Sequence, residues 1–263
     1  MYNILKCIAL FLIFFHPSLS FAGSTSAKEH VRDLHKIIDS YHRAIVNKDK
    51  NLFLSVFSAD AVSWVSVNDR GSLARQNAAL PEGGAQKRFI PSSHLKFIDG
   101  IVRDPVRIEE KVSGVKIFTD GNIAQINYDY VVDKGKAQRT AWGKEAWQLI
   151  NTDDGWKIVS VIWSAYWKAP PVRKEVVLPP ELLEQFAGSY AVRPDTSLDI
   201  TVQGNHLVAK LGSQQTLILF PESRTVFFDK TWGSTTEFVR DSTGRVTHIV
   251  IRENGSESEA PRL

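Results

Sequence analysis

The sequence is nearly without sulfur: its 263 residues hold one cysteine, Cys7, and one methionine, Met1. Both fall within residues 1–22. There Lys6 closes a short n-region, Cys7 to Phe15 is an apolar core, and Ser20-Phe21-Ala22 offers small residues at the −3 and −1 positions. This arrangement predicts a secretory signal peptide cleaved after Ala22, and a periplasmic or secreted protein. The apolar run breaks at His16-Pro17, too early to span a bilayer, so no membrane span is expected after cleavage. Cys7 lies inside the apolar core and away from the cleavage site, which argues against a lipid-anchored cysteine. A mature chain without thiols cannot form disulfides, thiolate metal sites or cysteine nucleophiles. Also missing is a dense Lys/Arg run with interleaved aromatics. With a net charge of only +3, nucleic acid is not an expected partner. His30, His35 and His42 are spaced by 5 and 7, not by the i, i+4 step a helix uses for zinc, and read as solvated. No metal and no cofactor is expected. What remains, 43% hydrophobic and 23% charged residues, is an ordinary globular composition.

The first half reads as helices followed by strands. Val31, Leu34, Ile38, Tyr41 and Ile45 line one face of a helix over residues 27–48. Asp49 is placed to cap a short second helix carrying Leu52, Phe53, Val56 and Phe57. A strand around Trp64 follows, then a turn at Asn68-Asp69-Arg70-Gly71. Residues 72–92 lose all periodicity and read as a long loop, a lid or a disordered insert. A short helix over 93–101 and strands over 106–112, 115–118 and 124–132 come next. Gly143 to Ser164 forms two long arms around the Asp153-Asp154-Gly155 turn, carrying Trp147, Trp156 and Trp163. By simple alternation, Val159, Val161 and Trp163 face a pocket and Trp156, Ile158 and Ile162 face out. An outer face that apolar is expected to be covered, by the C-terminal part or by a second copy. The order implies an α+β domain over 23–167, with helices on one face of a curved antiparallel sheet.

Asp49, Phe53, Phe57, Asp60 and Ala61, followed by Gly155-Trp156-Lys157-Ile158, Val161 and Trp163-Ser164, resemble the nuclear transport factor 2-like fold. The nearest likeness is to its SnoaL-like and ketosteroid-isomerase-like secreted members. The resemblance implies a cone-shaped sheet, and for the isomerases a helix tyrosine, a carboxylate base on the first strand and a neutral acid on a later strand. Tyr41 matches the tyrosine. Val65, preceded by Trp64, stands where the base would be. Ala146 stands near the second acid, with a register open by one residue and with Lys144 and Glu145 beside it. Without a base that mechanism does not run, and no catalytic residue is identified.

Residues 168–180, with Pro170-Pro171 and Pro179-Pro180, read as a semi-rigid linker. Residues 181–263 alternate short strands with turns at Gly204, Gly212, Gly244 and Gly255, which indicates a small antiparallel barrel or sandwich. Phe186-Ala187-Gly188-Ser189-Tyr190, Leu198-Asp199-Ile200, Phe227-Phe228 and Phe238-Val239-Arg240-Asp241 are similar to the lipocalin-like domain that follows many serine β-lactamase-related peptidases. That resemblance implies a domain without catalytic residues that acts in oligomerisation or in covering an active site. Ser93-His94-Leu95-Lys96 fits the S-x-x-K pattern, but its Y-x-N companion is absent, and Ser93 is not read as a nucleophile. Asn254-Gly255-Ser256 is a formal glycosylation sequon and equally a hairpin turn.

Three functions stay open. One is an exported binding or accessory protein, with Tyr41, Phe57, Trp64, Tyr128 and Trp163 lining a pocket for a small apolar ligand. The second is a SnoaL-like enzyme, an isomerase or hydrolase on a small apolar substrate, using His94, Asp129 or Glu145. The third is a structural module that oligomerises, as a homodimer through the sheet's outer face.

Overall fold

Amphipathic spacing delivers the first helix. In a computed structural model, α1 (Gly23–Asn47) buries Leu34, Ile38, Tyr41, Ala44 and Ile45 on one face. The structure describes residues 23–263 apart from Ala61, Glu82, Gly83, Ser213 and Gln214. The signal-peptide reading therefore lies outside the described residues. Asp49 accepts the Leu52 N–H at 2.9 Å and starts α2 (Lys50–Ser55), which sends Phe53 into the same core. Ser93 caps α4 (His94–Arg103) in the same way.

The stretch read as a long loop is partly ordered. Asp69 accepts the Ser72 N–H and opens α3 (Arg70–Ala78), and a short strand β2 (Phe89–Pro91) follows. The hydrophobic pattern misses α3 because its buried positions are polar, Ser72 and Gln76. The first sheet runs β2-β1-β6-β5-β4-β3, built from β1 (Ser63–Asn68), β3 (Ile108–Thr119), β4 (Ile123–Lys134), β5 (Ala137–Thr152) and β6 (Gly155–Trp167). All neighbours are antiparallel except β1 and β6. The strands read separately at 106–112 and 115–118 are one strand, β3, with a bulge between Ser113 and Lys116.

A bulge also corrects the face assignment on β6. Gln148 pairs with Ser160 but Leu149 pairs with Ile158, so Val159 is an extra residue in the ladder. Because alternation skips one step there, Trp156 and Ile158 point inward together with Val161, and both are buried. Ile162 faces out and is 49% exposed.

The second half is a nearly closed barrel of eight antiparallel strands in sequence order. Helix α5 (Pro180–Glu184) leads into β7 (Gly188–Arg193), β8 (Thr196–Gln203), β9 (His206–Leu211) and β10 (Gln215–Pro221). Then come β11 (Val226–Asp229), β12 (Thr235–Arg240), β13 (Val246–Glu253) and β14 (Ser256–Pro261). The two end strands meet through a bridge between Tyr190 and Arg262 and through the Leu263 N–H on the Ser189 carbonyl at 2.9 Å. Phe186, Tyr190, Phe227 and Phe238 fill the lumen, with ring centroids 4.4 to 5.9 Å apart.

Candidate functional site

Four elements converge inside the curve of the first sheet. Helix α1 brings Tyr41 and His42, β3 brings Glu110, and β4 and β5 bring Tyr128, Tyr130, Glu145 and Trp147. Strand alternation puts Ala124, Ile126, Tyr128 and Tyr130 on the inner face of β4, and Glu145, Trp147 and Leu149 on that of β5. Glu145 is therefore the inward acid, and Ala146, the residue counted to that position from sequence, points the other way. On β1 the inward residues are Trp64, Ser66 and Asn68, all buried, while Val65 pairs with the outward Ile162. No carboxylate stands on the inner face of this strand.

Glu145 is 5% exposed. One of its oxygens accepts from the Tyr128 hydroxyl at 2.5 Å and from the Trp147 indole N–H at 2.7 Å. Burial, reinforced by the charge of Glu110, pushes its pKa up to about 8, and these two hydrogen bonds offset only part of that shift. Burial, together with the same two carboxylates, holds the Tyr41 and Tyr128 phenols well above their ordinary value. At neutral pH the interior thus holds a neutral acid and neutral phenols.

His42 is not a solvated histidine. Its side chain is 13% exposed and that of Glu110 is 7% exposed, with Nε2 to Oε1 at 3.0 Å. Nδ1 lies 2.8 Å from the Ile38 carbonyl, which can only accept, so Nδ1 carries a proton. One further proton is then shared between Nε2 and Glu110. Sequence reasoning missed Glu110, although Ile108-x-Glu110-x-Val112 alternates in step with the inner face. It misread His42 because a helix-face histidine gives no sign of the strand opposite it.

The five aromatics read as a pocket lining do come together, mostly in contact with one another. Tyr41 lies 4.7 Å from Trp147 and 6.3 Å from Phe57 between ring centroids. Phe57 and Trp64 are 5.8 Å apart, Trp64 and Trp163 5.2 Å, and Tyr128 and Trp147 5.3 Å. The rings occupy the interior themselves. Asp129 is elsewhere, on the outer face in an ion pair with Lys144.

Two recesses open at the margins. A groove of about 440 Å³ crosses the outer face beside Lys116, Asn127, Lys144, Ala146, Ile162 and Ser164. A larger cleft of about 860 Å³ lies at the mouth of the cone, between α2, the start of α4 and the β5–β6 turn. Leu54, Phe57, Val62 and Leu95 give it apolar surface, and Asp60 and Lys157 stand at its polar edge. His94 also lines it, stacked on Phe57 at 4.7 Å. Desolvation lowers the His94 pKa, so its ring is neutral at neutral pH, and its buried Nδ1 has no hydrogen-bond partner among the described residues. No group of three His, Cys, Asp or Glu residues able to hold a metal ion occurs among the described residues. No helix among them is long and apolar enough to cross a membrane.

Comparison with known proteins finds partial likenesses. Residues 172–260 match a family described as a domain of unknown function, DUF3471. A stretch of 93 residues is 29% identical to penicillin-binding protein 4* of Bacillus subtilis strain 168. It covers 35% of this chain and 20% of that protein, so the chain spans about a fifth of the curated relative it matches. Among solved structures, an NTF2-like protein of unknown function from Shewanella baltica OS155 has a TM-score of 0.37 and 14% identity, covering 52% of this chain and 97% of that one. Another, from Silicibacter pomeroyi DSS-3, has a TM-score of 0.37 and 17% identity, covering 53% and 98%. A protein of unknown function with a cystatin-like fold from Nostoc punctiforme PCC 73102 has a TM-score of 0.37 and 9% identity, covering 52% and 90%.

Proposed function

We propose that the chain is an exported small-molecule-binding or accessory protein that takes an apolar ligand at the mouth cleft. Its two domains would be an NTF2-like cone over 23–167 and a barrel over 181–263 of the kind that follows β-lactamase-related peptidases. The observation that carries this reading is the state of the interior. Aromatic rings fill it, Tyr128 and Trp147 already engage the Glu145 acid, and the inner face of β1 offers no carboxylate base. The mouth cleft, by contrast, is open space in which Leu54, Phe57, Val62 and Leu95 offer apolar contact among polar side chains that could orient a ligand.

A second reading, a SnoaL-like enzyme, is favoured by Glu145 itself, a neutral buried acid on a late strand facing the same interior as Tyr41. One experiment separates the two. From the periplasm of an expressing bacterium, intact mass should show a chain beginning at Gly23. Titrated with 1-anilinonaphthalene-8-sulfonate, that chain should bind the probe saturably. Leu95→Glu, at an exposed residue of the cleft, should weaken binding by about fivefold or more, the scale of one lost apolar contact of 1 to 2 kcal/mol. Glu145→Gln should leave it unchanged. A response to Glu145→Gln with none to Leu95→Glu would move the site into the interior and favour the enzyme. Absence of saturable binding would sink the mouth-cleft reading.

The outer face supports a further part of the proposal. Ile162 and Tyr166 are 49% and 40% exposed there, and Trp142 stacks on Tyr166 at 6.0 Å. The barrel leaves these residues uncovered, so a second copy is the occupant we propose. Light scattering should give twice the chain mass, and Ile162→Asp should return the monomer. A strictly monomeric native chain rejects the homodimer.

A further inference from the structure

We infer that the barrel is locked end-on to the first sheet as one rigid body, at the end remote from the mouth cleft, so that it braces the cone and does not lid it. This inference is independent of what the cleft binds. Two separate contacts carry it. At the first, the β4–β5 hairpin tip abuts the β13–β14 hairpin tip, and the Lys136 and Ala137 N–H groups both donate to the Asn254 carbonyl at 3.2 Å. Gly135 and Gly255, both at positive φ, allow the approach. A Cβ on Gly135 would stand 2.8 Å from the Ser256 hydroxyl, and one on Gly255 would stand 2.7 Å from the Lys136 Cβ. Lys134 bridges the same seam, 3.2 Å from Asp104 and 3.7 Å from Glu253.

The second contact holds the connecting segment. Asp229, 1% exposed, accepts the N–H groups of Thr231, Trp232, Gly233 and Ser234 and the Ser234 hydroxyl. That turn presents the Trp232 ring edge-on to Trp167 at 5.2 Å. Pro170 and Pro171 lie against Gly233. On the sheet side, Trp167 is tied to Ser72 and Asn68 through its two N–H groups, and Arg75 donates to its carbonyl at 3.0 Å. On the barrel side, Arg173 pairs with Glu222 at 2.9 Å, Lys230 with Glu175 at 2.5 Å, and the Val176 N–H donates to the Pro221 carbonyl at 2.9 Å. The segment read as a linker is therefore clipped at both ends, with little chain left free to act as a hinge.

The direction of β5 excludes a lid. The strand starts at Ala137, in the hairpin seam, and ends at Thr152, which lines the mouth cleft. Fifteen residue steps at about 3.3 Å place roughly 50 Å of strand between the two.

The test is small-angle scattering of the native chain and of Gly255→Val, for whose side chain the seam has no room beside Lys136. The native chain should scatter as the single docked arrangement. Gly255→Val should scatter as a larger molecule, its hairpin tips forced apart. A native curve that requires a set of separated arrangements overturns the inference. So does a Gly255→Val curve that superposes on the native one, because the seam would then not be closed. If Gly255→Val fails to fold, the native scattering curve still decides.

Discussion

Gly143→Ala is expected to destabilise the chain by about 3 kcal/mol or more, at the upper end of what overpacking a tight site costs. Between the paired residues Trp142–Tyr166 and Glu145–Trp163 the β5–β6 ladder opens. There the Lys144 N–H donates to the Ser164 hydroxyl at 3.1 Å, and the Ser164 carbonyl accepts from the Tyr130 hydroxyl at 2.8 Å. A Cβ on Gly143 would lie 2.9 Å from the Ser164 carbonyl carbon, and closer still to its oxygen. These are backbone atoms, so the clash cannot be relieved by a rotamer change. Moving Ser164 away would break the bond from Tyr130, a buried phenol that would lose its partner. Gly100→Ala is the control. A Cβ there meets nothing within 4 Å, and its place inside α4 predicts stabilisation by up to about 1 kcal/mol. Urea unfolding of both variants checks the pair. A Gly143→Ala midpoint indistinguishable from the native one would refute the close packing described for Ser164.

Stability should fall as pH rises from about 4.5 to about 8, and Glu145→Gln should remove most of that slope. The Glu145 pKa is raised on folding, from near 4.5 to about 8. Across that interval the folded chain keeps a proton that the unfolded chain has released. The stabilisation is complete below the unfolded value, is lost as pH climbs toward the folded value, and changes no further once both states are ionised. The shift corresponds to an upper bound of roughly 5 kcal/mol. An amide at position 145 still offers an oxygen to Tyr128 and Trp147 but has no charge to bury. The variant should therefore match the native chain near pH 5 and exceed it at pH 9 by a few kcal/mol. Glu145→Ala should instead be destabilising at every pH, because it strands two buried donors. Urea midpoints from pH 5 to 9 provide the measurement. A native slope that survives in Glu145→Gln would refute the assignment of the titration to Glu145.

Much of the fold was legible from local signals. The spacing of Leu34, Ile38, Tyr41 and Ile45, the cap at Asp49, and the alternation from Ala124 to Val132 are set by helix and strand periods. These depend on the residue and its near neighbours. The barrel was legible in the same way, from glycine turns between short strands. Helix α3 was not legible, because Ser72 and Gln76 are polar where the pattern requires apolar residues. The tertiary structure decided everything that depends on register. One extra residue at Val159 turned Trp156 and Ile158 inward, and a one-step count separated Glu145 from Ala146. Since a strand reverses its faces at every residue, a single bulge or slip exchanges inside for outside, and only the ladder records where it occurs. The same limit applies to the Gly143 to Ser164 arms. Their sequence sufficed to predict a long aromatic hairpin. That one arm carries a buried neutral acid, and that Gly143 must yield its side-chain space to Ser164, follows from strands brought together across the sheet.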